Sequence, residues 1–224
     1  ALPILGYGYV AQYFCKSDDL DDFDIGASIN ISKEKYFTKP EKVAAVDFSK
    51  IDNLILDDYD SFVISIPPFY QLKTDAVIDK FYDYFLNRQT SYQLMYLSAT
   101  SVYGDHEGKK VQENSQLKAQ SVNGLARIAC ENKYLKLRQN KVANINILRL
   151  AGIYGEKRNS LLRIHNRQMI SNKLSTKLTS RIHVDDISNI MKKIILSSQI
   201  HNQIFNISDD NPSTTKEVND FICR

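Results

Sequence analysis

Two glycines set two residues apart, Gly6 and Gly8, and the small Ala11 behind them carry the first candidate chemistry of this chain. They end a short apolar run, Leu2-Pro3-Ile4-Leu5, and Val10-Ala11-Gln12-Tyr13-Phe14 can open a helix behind them. In a strand–turn–helix unit each position has a physical task. Gly6 permits the tight turn, Gly8 lets backbone approach a diphosphate with no Cβ in the way, and Ala11 lets the helix pack close to the strand. The N–H groups of the first helical turn then point at the anion. Gly6, Gly8, Tyr9, Val10 and Ala11 are therefore the candidate dinucleotide-binding set. The same spacing also fits any tight strand–helix turn, so the rest of the chain must decide.

Its 224 residues are enough for one domain with a substantial core. With 43% hydrophobic and 25% charged residues, the composition is that of a folded globular chain. The net charge is only +3 and the basic residues are scattered, which argues against nucleic acid as a partner. No apolar stretch is long enough to cross a bilayer, and no secretory leader is read before the first strand. The chain starts inside a strand without Met and stops inside a helix, so both ends are expected to continue. Cys15, Cys130 and Cys223 are odd in number and far apart, as expected for reduced thiols in a cytoplasmic protein. His106, His165, His183 and His201 show no pairing with carboxylates at metal-ligand spacing, and no metal site is expected.

The elements that would position the glycine turn alternate along the chain. Strands are expected at 24–30, 42–48, 61–66 (stopped by Pro67-Pro68), 92–98 and 142–150, with helices over 73–86 and 125–137. Apolar strands alternating with helices predict a Rossmann-type doubly wound parallel sheet spanning residues 1–150. Beyond it, 151–224 is expected as a small, dependent C-terminal cap on the substrate side. Within that cap the periodicity predicts helices over 161–170 and 187–196, a strand at 203–207 and a last helix from 215. Asp185 or Asp186 is expected to cap the helix that runs to Leu196.

Several longer strings carry a family resemblance. Leu97-Ser98-Ala99-Thr100-Ser101-Val102-Tyr103-Gly104-Asp105 with Glu113-Asn114-Ser115, Leu148-Arg149-Leu150-Ala151-Gly152-Ile153-Tyr154-Gly155, His183-Val184-Asp185-Asp186 and Phe205-Asn206-Ile207 occur in that order. Together they resemble the extended short-chain dehydrogenases/reductases of the NAD-dependent epimerase/dehydratase group, in particular its small atypical branch. The resemblance spans nearly the whole chain. It implies NAD or NADP as cofactor and an oxidoreductase acting on a nucleotide-sugar-like or other polar small molecule, as a monomer or homodimer.

The chemistry departs from the family pattern. Where the family carries Ser/Thr, Tyr and Lys, this chain has Ala99, Asn123 and Arg127. Asparagine exchanges no proton near neutral pH, and arginine stays charged there but can still hold a ribose or phosphate. Thr100, Tyr103 and Arg127 are the remaining candidates for catalysis, Thr100 as a substrate-orienting hydroxyl. Tyr103 fits equally as a packing residue of its turn. The alternative is a non-catalytic protein that senses or scaffolds through the dinucleotide.

The resemblance also nominates contacts around the cofactor. Ser28 and Asn30 lie at the second strand's end, near Lys33 and Lys35; Asp47 and Phe48 would touch the adenine; Ile66, Pro67 and Ser98 would skirt the rest. Asp47 fits a helix cap as well. Arg158, Asn159 and Arg181 are the substrate-side candidates. Glu131 reads as an ordinary helix residue.

Overall fold

The computed structural model describes residues 2–16, 24–29, 43–166 and 177–223. The strands among them are β1 (Leu2–Leu5), β2 (Ile25–Ile29), β3 (Val43–Asp47), β4 (Ser61–Ile64), β5 (Tyr92–Ala99), β6 (Ala143–Leu150), β7 (Gly152–Tyr154), β8 (Arg181–His183) and β9 (Ile204–Ile207). Seven of them form one parallel sheet in the order β3-β2-β1-β4-β5-β6-β9. Apolar residues fill both faces of the central strands, as parallel strands covered on both sides require. Short hydrophobic runs separated by helix-forming segments leave the chain little other choice.

Helix α1 (Tyr9–Cys15) and helix α6 (Val184–Leu196) cover one face. Phe14, Ile187 and Met191 meet Ile4, Val63 and Leu148 there. On the other face, helices α3 (Ala76–Asn87) and α4 (Val122–Lys136) bring Phe81, Phe85 and Tyr134 onto Phe62, Leu94 and Tyr96. Edge-to-face contacts order this second core, with the Phe62 and Phe85 centroids 5.0 Å apart. The short α2 (Asn53–Asp57) is capped by Asp52, whose carboxylate accepts from the Ile55 N–H.

The order of the strands matters more than their number. Growth runs outward from β1 through β2 to β3, then returns to the other side of β1 with β4. The direction therefore reverses between β1 and β4, and a crevice opens beyond their C-terminal ends.

The chain after Leu150 divides between two sheets. Strands β7 and β8 form a separate two-stranded parallel sheet, and the short α5 (Ser160–His165) follows β7 along the chain. The rest returns to the main body. β9 pairs with β6, and α6 packs its buried Val184, Ile187, Met191 and Ile194 against the α1 side. Buried Asn146 holds the return, its Oδ1 accepting from the Gln203 N–H at 3.0 Å. Helix α7 (Thr215–Ile222) starts with a capping box between Thr214 and Glu217.

The cap of α6 corrects one expectation. His183 occupies the N-cap, its Nδ1 accepting from the Asp185 N–H, while Asp185 and Asp186 lie in the first turn, where the helix dipole favours negative charge. The last four residues of the helix expected over 161–170 lie outside the described residues, as do Asn30, Lys33 and Lys35. No helix among the described residues is long and apolar enough to cross a membrane.

Candidate functional site

The glycine turn sits at the crevice. Gly6 follows β1 with φ +108°, a conformation that L side chains rarely adopt. Its N–H donates to Ser28 Oγ at 2.9 Å, and the next N–H, of Tyr7, donates to Ser28 O at 3.0 Å. Ser28 is thus a buried tie between β2 and the turn. A Cβ on Gly6 would lie 2.7 Å from both Cγ1 and N of Ile66, which places Ile66 directly against the turn.

Gly8 is the opposite case. A Cβ there would meet nothing within 4 Å. Gly8 is also the N-cap of α1 and offers no side-chain bond to the helix's free N–H groups, and the first turn carries no acidic residue. Open space, uncapped N–H donors and no competing carboxylate fit a diphosphate. Ala11 is fully buried and lets α1 sit close on the sheet, with Val10 buried and Tyr9 half-buried.

Around this turn the other candidates divide. Asp47 caps the 3-10 turn after β3, accepting from the Ser49 N–H at 3.1 Å; hydrogen bonds to Ser49 hold its carboxyl below the usual range. Phe48 packs edge-on to Phe81 at 6.0 Å and lends its carbonyl to Lys80 Nζ. Pro67 is exposed at the end of β4, next to a buried Pro68.

The end of β5 holds a buried network that the sequence did not announce. Ser98 donates to Glu131 Oε1 at 2.5 Å. Glu131 pairs with Arg149 of β6, with Nη2 at 2.8 Å from Oε2. Arg149 Nη1 donates to the Tyr103 hydroxyl at 2.7 Å and to Glu113 O at 2.9 Å. The Tyr103 hydroxyl in turn donates to Asn206 Oδ1 at 2.6 Å, and the Asn206 N–H donates to Glu113 Oε1. Burial pulls the Arg149 pKa down, but the hydrogen bonds and charge of Glu131 outweigh it and hold the guanidinium ionised. Tyr103, 3% exposed, therefore both accepts and donates inside the protein. One signal could have exposed this network. Arg149 is a charge within an apolar strand, near its C-terminal end, and such a charge demands a partner.

Arg127 is half-buried on α4. Its Nη1 donates to Leu97 O at 2.6 Å and to the Tyr96 hydroxyl at 3.3 Å, so the guanidinium is anchored to β5. Asn123, one turn earlier, is exposed. Thr100 is half-buried in the 3-10 turn Thr100–Tyr103, and its hydroxyl has no hydrogen-bond partner among the described residues. α4 packs tightly on that turn: a Cβ on Gly124 would lie 2.6 Å from Ser101 O.

The segment after β7 reaches back to α1. The Tyr9 hydroxyl donates to Glu156 O at 2.8 Å, and the Tyr13 hydroxyl to Glu156 Oε2 at 3.2 Å. Arg158 lies over the Tyr9 ring, 5.5 Å from its centroid. Asn159 caps α5 and donates to Gly155 O, and Arg181 donates to Thr179 O and to the carbonyl and hydroxyl of Ser213. The structure thus brings the glycine turn, Ile66, the β5 turn and Arg158 to the C-terminal edge of the sheet. It ties Ser28, Ser98, Tyr103, Asn159 and Arg181 into its own framework.

The model of the family described as NAD dependent epimerase/dehydratase matches residues 80–208. Solved structures share the fold. A functionally unknown conserved protein from Silicibacter pomeroyi superposes with a TM-score of 0.80 at 23% identity, covering 97% of this chain and 74% of that one. UDP-glucuronic acid 4-epimerase from Bacillus cereus, in complex with NAD, superposes with a TM-score of 0.80 at 16% identity, covering 99% of this chain and 82% of that one. dTDP-glucose 4,6-dehydratase from Bacillus anthracis str. Ames, in complex with NAD, gives 0.78 at 15%, covering 99% and 79%. A search of curated proteins returns no match.

Proposed function

The chain belongs to the NAD dependent epimerase/dehydratase family, and from that premise we propose that it binds NAD or NADP and acts as an oxidoreductase on a nucleotide-sugar-like or other polar small molecule. The observation that carries the reading is the turn at Gly6–Tyr9, where the backbone fits a diphosphate and Gly8 faces open space. Gly6, Gly8, Tyr9, Val10 and Ala11 hold the diphosphate, with Ile66 and Pro67 alongside it. Asp47 and Phe48 flank the adenine end. The bound nicotinamide supplies hydride acceptance and donation.

The chain's own residues set what surrounds that chemistry. Thr100, with an unengaged hydroxyl, orients the substrate by hydrogen bonding. Arg127, anchored on Leu97 O, places a permanent positive charge beside the β5 end and stabilises negative charge there. Asn159 and Arg181 shape the substrate side through the cap.

A second reading has its own support. The family's Tyr position is Asn123, and the phenol of Tyr103 is consumed within the buried network. Without a poised proton donor, the protein would bind the dinucleotide and report on it rather than turn it over. Calorimetric titration with NAD, NADH, NADP and NADPH tests the shared premise. Binding of one pair supports it, and no binding at millimolar concentration overturns it. Mixing the NAD-loaded protein with nucleotide sugars and following NADH fluorescence then separates the two: reduction of NAD with oxidation of a sugar hydroxyl in single turnover supports the enzyme, and stable binding without turnover supports the sensor.

A further inference from the structure

We infer that Arg158, from the cap, closes over the glycine turn as a cationic clasp on the pyrophosphate of the bound dinucleotide, a step that rests on the cofactor reading above. The geometry begins with a two-residue hairpin. Gly155 and Arg158 exchange both backbone hydrogen bonds, at 3.0 and 3.1 Å, and Lys157 at its tip takes φ +60°. Asn159 next to it is fixed as the cap of α5. The backbone of Arg158 is therefore held from both sides.

This hairpin is fastened to the first two turns of α1. Tyr9 and Tyr13 both donate to Glu156, one to its carbonyl and one to its carboxylate. Gly155 packs so closely that a Cβ there would lie 2.7 Å from the Tyr9 hydroxyl. Tyr9 directly follows Gly8, the residue that faces open space. The Arg158 guanidinium lies over the ring of Tyr9, one residue along the chain from Gly8.

Its hydrogen-bonding capacity is unused. Among the described residues the Arg158 side chain has neither a hydrogen-bond nor an ion-pair partner, and it is exposed. Glu156, the nearest carboxylate in the hairpin, is engaged by Tyr13 and faces Lys157 at 3.9 Å. An arginine held by stacking, with all its N–H groups free, suits a planar two-point grip on a diphosphate. Diphosphate chemistry is shared by the dinucleotide and by a nucleotide-sugar substrate; the contact with Tyr9 assigns the clasp to the dinucleotide.

The test is calorimetry on wild type, Arg158→Ala and Arg158→Lys with NADH, NADPH, ADP, adenosine and UDP-glucose. Loss of two charge-assisted bonds should weaken the alanine variant for the preferred dinucleotide and for ADP by about tenfold or more. The lysine variant should fall between, and adenosine should be unaffected. Because Arg158 is exposed, ligand-free melting temperatures should agree among the three proteins. If the alanine variant binds the dinucleotide within about twofold of wild type, the clasp is overturned and the cofactor reading stands. Loss of UDP-glucose binding with dinucleotide binding intact also overturns it, placing Arg158 on the substrate. If wild type binds neither dinucleotide, both inferences fall together.

Discussion

Glu131 of α4 and Arg149 of β6 form a bidentate pair inside the protein, at 1% and 3% exposure. Arg149 Nη2 lies 2.8 Å from Oε2, and Nε lies 3.2 Å from each carboxylate oxygen. The pair is closed off by Ser98 on the acidic side and by Tyr103 and Glu113 O on the basic side. Burying two charges is tolerable only when each finds such partners. The pair thereby clamps β5, β6, β9 and the turn after β5 into one unit, with α4 across them.

Removing one partner strands the other. Glu131→Gln should lose about 3–5 kcal/mol of stability, because the guanidinium remains buried and uncompensated. Glu131→Leu combined with Arg149→Met should recover much of that loss. Urea denaturation of the single and double variants measures it, and additive losses would contradict the pairing.

Gly6 and Gly8 should separate folding from binding. Alanine at Gly6 meets Ile66 at 2.7 Å and must adopt φ +108°, so Gly6→Ala should cost about 1–3 kcal/mol. Gly8 has φ −85° and open space, so in Gly8→Ala the entropy gained over glycine is set against alanine's poorer N-cap preference, and stability should change by less than about 1 kcal/mol. The same methyl enters the space reserved for the diphosphate, and dinucleotide affinity should fall at least about tenfold. Melting curves and calorimetry on both variants read the two effects independently.

Strands and helices are legible in the chain by their period, and the glycine turn by its spacing, because both are set by residues close in sequence. The pairings that give the site its character are not. Glu131 finds Arg149 18 residues away, and Tyr9 finds Glu156 across 147. Ser28 reads as a cofactor contact from its place at the end of β2; in the structure its Oγ accepts from the Gly6 N–H, since parallel pairing of β1 and β2 sets the two together. Asp185 and Asp186 are good capping residues by type, but the helix begins at Val184, three residues before its expected start, and His183 takes the position. In each case tertiary register decided which of several locally acceptable partners was reached.

Tyr103→Phe distinguishes a structural phenol from a catalytic one. Removing the hydroxyl leaves Arg149 Nη1 with Glu113 O alone and leaves Asn206 Oδ1 without its donor. Stability should drop by about 1–3 kcal/mol. Dinucleotide affinity, and any turnover found with a nucleotide sugar, should persist below the lowered melting temperature. A selective loss of turnover with unchanged stability would instead make Tyr103 a proton donor.

Asp75 gives the fold a pH signature of its own. Fully buried, it caps α3 by accepting from the N–H groups of Val77 and Ile78 at 2.9 Å and takes the Tyr134 hydroxyl at 3.0 Å. Burial pushes its pKa above the usual carboxylate value, against the lowering effect of those hydrogen bonds. The folded state therefore binds this proton more tightly than the unfolded chain. Where that holds, stability rises as pH falls, between the raised folded pKa and the ordinary unfolded one. Other carboxylates titrate in the same region, so the quantity to measure is wild type minus Asp75→Asn. The asparagine keeps an oxygen for the helix cap and carries no charge at any pH. The difference should shift in favour of wild type on acidification through the raised pKa, then flatten below the unfolded value. A difference that stays constant across that window would mean Asp75 titrates as an ordinary carboxylate and its burial exacts no electrostatic penalty.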